Sequence, residues 1–159
     1  MSRYLLCAAL LVPVLAGCTT SDDRRAQTGV AAAASSSSDL ITARRAGMHM
    51  TATLLFRSVK AAVSRGTDVK EQVAAADGMA RWAAAIPGLF PPGSNIGDTR
   101  ARPEIWTNKA DFDRRAAEFG SASTRLTALA EAGDAKGFAA QVDVVQRTCG
   151  GCHAPYRSE

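Results

Sequence analysis

Residues 134–156 read DAKGFAAQVDVVQRTCGGCHAPY. Within them Phe138, Val142, Val145, Cys149, Cys152 and Tyr156 recur at alternating steps of four and three. That is the row of side chains that one face of an α-helix presents. Asp134 stands where an N-cap belongs, directly after Gly133. The stretch therefore reads as one amphipathic helix, and the chemistry-bearing residues sit at its C-terminal end.

Three more helices are predicted upstream. Asp39 is the expected N-cap of the first, in which Ile41, Met48, Leu55 and Ala62 recur every seven residues with Arg44 on the same face, until Gly66. Asp68 opens the second, whose stripe is Val69, Val73, Ala76, Ala80 and Ala83, and Ile86-Pro87-Gly88 ends it. Residues 89–102 are rich in Pro and Gly and read as a long loop. Pro103 suits the first turn of a third helix, with Ile105, Phe112, Phe119 and Leu126 on its face and Gly133 at its end. No sustained period-two alternation argues for strands. The expected fold is all-α: an antiparallel up-down four-helix bundle over residues 39–159.

The core of such a bundle looks thin. Of 159 residues, 32 are alanine, and Phe, Trp and Tyr together number nine, so little side-chain volume is available. Something other than protein is expected to help fill the middle. A formal charge of +4 with 21% charged residues does not describe a nucleic-acid binder.

The scarce reactive residues converge on Cys149-Gly150-Gly151-Cys152-His153, the C-x-x-C-H attachment signature for haem c. Two thiols on one helical turn can reach the two vinyl groups of a haem, and the next imidazole then lies under the iron as proximal ligand. Three other readings compete. A thioredoxin-like redox pair needs a βαβ context, which is missing. A structural zinc site needs a fourth ligand, and His49 is the only spare histidine. A disulfide between Cys149 and Cys152 would leave His153 a coincidence.

The N-terminus fits export. Residues 1–17 combine an early Arg3, an apolar run and small residues, as a secretory signal does. Leu15-Ala16-Gly17-Cys18 resembles the lipobox of bacterial lipoproteins, which implies acylation at Cys18 and a membrane anchor. Residues 18–38 then read as a disordered tether ending in a serine run. The expected location is the bacterial periplasm.

The C-terminal C-x-x-C-H-x-x-Y-R resembles the class II c-type cytochromes, cytochrome c′ in particular. Leu89-Phe90-Pro91-Pro92-Gly93-Ser94, Gly97-Asp98, Arg102-Pro103-Glu104-Ile105-Trp106 and residues 39–48 carry the same resemblance, in the family's order. It implies one covalent haem c on Cys149 and Cys152 with His153 as proximal iron ligand. It places Arg157 beside the proximal face, Arg44 at a haem propionate, Arg45 near the haem edge, and Asp98 and Glu104 in the haem-flanking loop. Pro155 departs from the pattern and is expected to end or kink the helix, leaving Arg157 less firmly placed.

By the same resemblance, Met48 faces the distal side. In cytochrome c′ that position covers a five-coordinate iron without bonding it, and the pocket admits NO or CO. In low-spin relatives such as cytochrome c-556 a methionine there is the sixth ligand. The expectation is the first, a gas-binding protein that also exchanges electrons and is not an enzyme; the alternative is a plain electron carrier. The redox partner is not identified, and a homodimer through the first two helices is compatible. His49 is expected to be exposed, and Trp82 and Trp106 to be core and pocket-wall residues.

Overall fold

The computed structural model describes residues 36–159. The signal, Cys18 and most of the tether lie outside that range. Helix α1 (Ser37–Thr53) begins three residues before the expected start, with its cap at Ser36 where Asp39 was expected. Ser36 is its N-cap: the hydroxyl accepts from the Asp39 amide, and the Asp39 carboxylate accepts from the Ser36 amide. Asp39 is thus the third residue of a capping box and not the cap itself.

From Thr53 the rod continues as a π-helical stretch, Leu54–Val59, and then as α2 (Lys60–Arg65), closed by Gly66 at φ 63°. The wide turn has a packing cause. Gly47, Thr51, Leu55 and Val59 are buried at steps of four. Four residues overshoot one α-turn by about 40°. A regular helix would therefore rotate this row off the core, and the roomier π turn brings it back. The seven-residue stripe holds at Ile41, Leu55 and Ala62, all buried, while Met48 is half-buried.

Asp68 caps a 3₁₀ turn, Val69–Gln72, that leads into α3 (Val73–Ala85). Its inward face is Val69, Ala75, Ala76, Met79 and Ala83; Met79 is fully buried where Ala80 was expected. The chain leaves through Ile86–Leu89, and residues 90–102 form the expected loop. The third helix is broken. A single turn, α4 (Glu104–Thr107), stops at Asn108, whose φ −127° and ψ 51° are not helical, before α5 (Lys109–Ala132) begins. Gly133 at φ 69° ends α5, and Asp134 caps α6 (Ala135–Tyr156) by accepting from the Gly137 amide at 2.9 Å.

The rod formed by α1 and α2, with α3, α5 and α6, makes the antiparallel four-helix bundle. Its core runs from Leu126, Phe138 and Val145 to an aromatic cluster in which Phe90, Phe112 and Tyr156 meet edge to face at 4.9 and 5.3 Å. Seven of the buried core positions are alanine, Ala62, Ala75, Ala76, Ala83, Ala116, Ala122 and Ala130, so the helices approach closely. Among the described residues no helix is long and apolar enough to cross a membrane.

Candidate functional site

At one end of the bundle a cavity of about 510 Å³ opens between α1, the long loop and the end of α6. That is within the usual span for small-molecule and cofactor pockets, about 300–1,000 Å³. Ile41, Met48, Ala52, Ile105 and Phe112 give it apolar walls; Cys152, His153 and Tyr156 form the α6 side. Met48 and His153 thus reach one space from two different helices. His49 is exposed, as expected, yet also lines the cavity mouth.

Among the described residues, four arginines, Arg44, Arg45, Arg100 and Arg157, line this cavity and no carboxylate does. Arg44 is the unusual one, only 5% exposed. Its Nε donates to the Leu89 carbonyl at 2.8 Å, Nη1 to the Ser94 carbonyl at 2.9 Å, and Nη2 to the Ser94 hydroxyl. The guanidinium lies over the Phe90 ring, 4.1 Å from its centroid. All these partners are neutral. Burial lowers its pKa, and an anion in the cavity would offset that desolvation.

Arg45 sits at the rim, donating to the Asp98 carbonyl and paired with its carboxylate at 2.9 Å. Asp98 itself does not line the cavity. Glu104 does not line the cavity; it pairs with Arg102 at 3.4 Å, both side chains well exposed. Arg157 is more firmly held than Pro155 led us to expect. The helix ends at Tyr156, and Arg157 then pairs in a β-bridge with Ala101. The Arg102 amide donates to Tyr156 at 3.0 Å and the Ser158 amide to Arg100 at 2.9 Å, which fixes the backbone on both sides.

The thiols of Cys149 and Cys152 are free and partly buried on the last turns of α6, and burial pushes both pKa values up. Cys149 lies outside the cavity lining and its thiol points to the Val145 carbonyl at 3.4 Å. Burial, and then the charge of Arg157, lower the His153 pKa, which favours the neutral imidazole that can ligate a metal. Among the described residues no three His, Cys, Asp or Glu side chains gather as a metal site.

Trp106 donates from Nε1 to the Pro91 carbonyl at 2.9 Å and packs on Phe90 outside the cavity lining. Trp82 lies against Gly47, where the absent side chain makes room for the indole. Sequence reasoning missed one cluster. On α5, Asp111 accepts from Tyr156 Oη and from Arg115 Nε, each at 2.7 Å, and pairs with Arg114. Arg115 Nη1 in turn donates to the Gly151 carbonyl at 2.6 Å. The i,i+4 spacing of Asp111 and Arg115 was visible in the sequence, but their partners on α6 were not.

The donor set fits a covalent haem: two thiols and an imidazole at one end, apolar walls, and a buried cation whose partners among the described residues are all neutral. Comparisons agree. A cytochrome c-556 of Agrobacterium tumefaciens (strain II Chrys) is 37% identical over 100 residues, 61% of this chain and 80% of that protein. A cytochrome c′ of Alcaligenes xylosoxydans xylosoxydans is 38% identical over 78 residues, 49% of this chain and 56% of that protein. Among solved structures, a cytochrome c′ with ligand-controlled dimer dissociation superposes with TM-score 0.73 at 30% identity, covering 80% of this chain and all of the other. Cytochrome c′ from Thermochromatium tepidum gives 0.71 at 32% identity, covering 78% and 98%. The sequence profile of the family described as Cytochrome C′ matches residues 39–157, and the chain therefore belongs to the cytochrome c′ family.

Proposed function

We propose that this protein binds a diatomic gas, NO or CO, at a five-coordinate haem iron and exchanges electrons there, without being an enzyme. The cofactor is one covalent haem c, the group that the family carries. In this reading Cys149 and Cys152 carry the thioethers and His153 is the proximal ligand. When bound, the haem supplies an iron with a sixth position open to a ligand. Arg44 would pair with a propionate, and Arg45 and Arg157 would stand at the haem edge and the proximal side.

The observation that carries the reading is the apolar wall of Ile41, Met48, Ala52, Ile105 and Phe112 on the cavity that His153 enters. These five side chains admit small neutral gases and, on their side of the cavity, offer no hydrogen-bond donor to hold bound O₂. Solved relatives include a nitric oxide complex and a carbon monoxide complex of single-residue variants of cytochrome c′ from Alcaligenes xylosoxidans.

A second reading has its own support. Met48 itself lines the cavity, and its thioether would make a six-coordinate, low-spin electron carrier of the cytochrome c-556 type. Optical and paramagnetic-resonance spectra of the ferric protein separate the two. The five-coordinate reading expects a high-spin iron that binds NO, unaltered in spin state by Met48→Ala. A low-spin parent that turns high-spin in Met48→Ala would overturn it in favour of the thioether ligand.

We place the protein in the bacterial periplasm, held at a membrane by acylation of Cys18 and reached by cleavage after residue 17. The mass of the mature N-terminus tests this. Met50 and Phe56 on the first rod are 46% and 53% exposed, large apolar surfaces that suit a homodimer contact.

A further inference from the structure

The helix that carries the two cysteines has a gap in its own hydrogen bonding. In α6 the amide of residue 155 would donate to the carbonyl of residue 151. Residue 155 is proline, set inside the helix, and has no N–H to give. The Gly151 carbonyl therefore lacks its helical donor, in a turn already weakened by Gly150 and Gly151.

The neighbouring helix supplies a donor. From α5, Arg115 Nη1 reaches the Gly151 carbonyl at 2.6 Å. The arginine is itself aimed. Its Nε is held by Asp111 Oδ2 at 2.7 Å, and the same oxygen accepts from Tyr156 Oη at 2.7 Å. Tyr156, 4% exposed, is the residue directly after Pro155, so both ends of the irregular turn are tied to one carboxylate on α5.

We propose that Arg115 is a positioning residue that stands in for the amide missing at Pro155 and so fixes the turn bearing Cys149, Cys152 and His153. The Gly151 carbonyl shares a rigid peptide plane with the Cys152 amide. Holding that oxygen sets the direction in which the Cys152 side chain leaves the helix and the tilt of His153 after it. Arg115 also leaves a permanent positive charge beside this turn. The consequence for haem rests on the reading of Cys149, Cys152 and His153 given above; the hydrogen-bond claim stands without it.

The two contributions, a hydrogen bond and a charge, separate in a cycle made on the haem-loaded protein: Arg115→Met, Pro155→Ala, the double variant, and Arg115→Lys. Arg115→Met is expected to speed amide exchange across residues 149–154 by about tenfold, the loss of one hydrogen bond. It should also shift the iron–histidine stretching band of the ferrous protein. Pro155→Ala restores a backbone donor, so the double variant is expected to regain parental exchange and the parental band. The reduction potential should fall in Arg115→Met and stay low in the double variant, because the cation is still missing, while Arg115→Lys keeps it near the parent.

Parental exchange in Arg115→Met, or no recovery in the double variant, overturns the proposal. If Arg115→Met does not accumulate, Arg115→Lys carries the exchange test: it loses the guanidinium fork and should exchange faster than the parent, while Arg115→Lys/Pro155→Ala, which regains the backbone amide, should recover parental protection. Failure of the haem reading would look different: mass spectrometry would find no haem on Cys149 and Cys152 while the exchange cycle still gave its answer.

Discussion

Glycine to alanine inside a helix ordinarily stabilises by about 0.5–1 kcal/mol, because alanine has less backbone freedom to lose. At Gly47 the opposite is expected. A methyl there would fall inside the van der Waals envelope of three Trp82 ring atoms, Cη2, Cζ3 and Cζ2. Carbon atoms need about 3.5–4.0 Å, so the indole would have to retreat by about 1 Å or more. Trp82 packs against the buried core, and overpacking of this kind costs about 1–3 kcal/mol. Less the propensity gain, Gly47→Ala should be destabilised by about 1–2 kcal/mol. Gly78 on α3 provides the contrast. A methyl there meets only Leu54 Cδ1, at an ordinary 3.4 Å, and Gly78→Ala should gain up to about 1 kcal/mol. Urea unfolding of both variants measures the difference, and Trp82→Leu should remove most of the cost of Gly47→Ala. A Gly47→Ala protein as stable as the parent would refute the close contact. Since Gly47 adjoins Met48, the same variant should also perturb the ferric haem spectrum.

Three further outcomes follow from other contacts. Asp111 is held well below the usual carboxylate range, first by Arg115, then by Tyr156 and Arg114. A depressed folded pKa adds stability that is complete above the unfolded value of about 3.9 and is lost as pH falls through the folded one. Urea midpoints between neutral pH and pH 2 should therefore fall more steeply in the parent than in Asp111→Asn. Ser94→Ala removes an acceptor from buried Arg44 and should cost about 1–3 kcal/mol, whereas Asp98→Asn, breaking an exposed pair, should cost under about 1 kcal/mol. Phe56→Glu should shift sedimentation toward monomer if the exposed apolar surface of the first rod is the dimer contact; an unchanged profile removes that assignment.

Much of this was legible in the sequence, for definite reasons. Seven-residue recurrence located Leu55, Phe112, Phe119 and Leu126 in the core because burial of one helical face leaves that period. Gly66 and Gly133 marked helix ends because both sit at positive φ. The start of α1 was misplaced because Ser36 is one of four consecutive serines, any of which can cap. The break at Asn108 left no mark, since the apolar period continues from Ile105 to Phe112 across it. At the site, Cys149, Cys152 and His153 were singled out by their spacing taken together with the export signal, the all-helical pattern and the thin core. The neutral partners of buried Arg44 and the bond from Arg115 to Gly151 depend on how helices and loop meet, and local pattern does not encode that.

The π-helical stretch at Leu54–Val59 has a consequence for how the two ends of the first rod relate. Above it lie Arg44 and Met48; below it lies α2, whose Ala62 packs in the lower core. A regular helix is a stiff shaft, and a twist imposed at one end is delivered to the other. A wider turn is a compliant coupling, able to take up a small rotation by exchanging hydrogen-bond partners within itself. Repacking of the lower bundle by mutation should therefore reach Arg44 and Met48 weakened, so that the cavity they line keeps its shape.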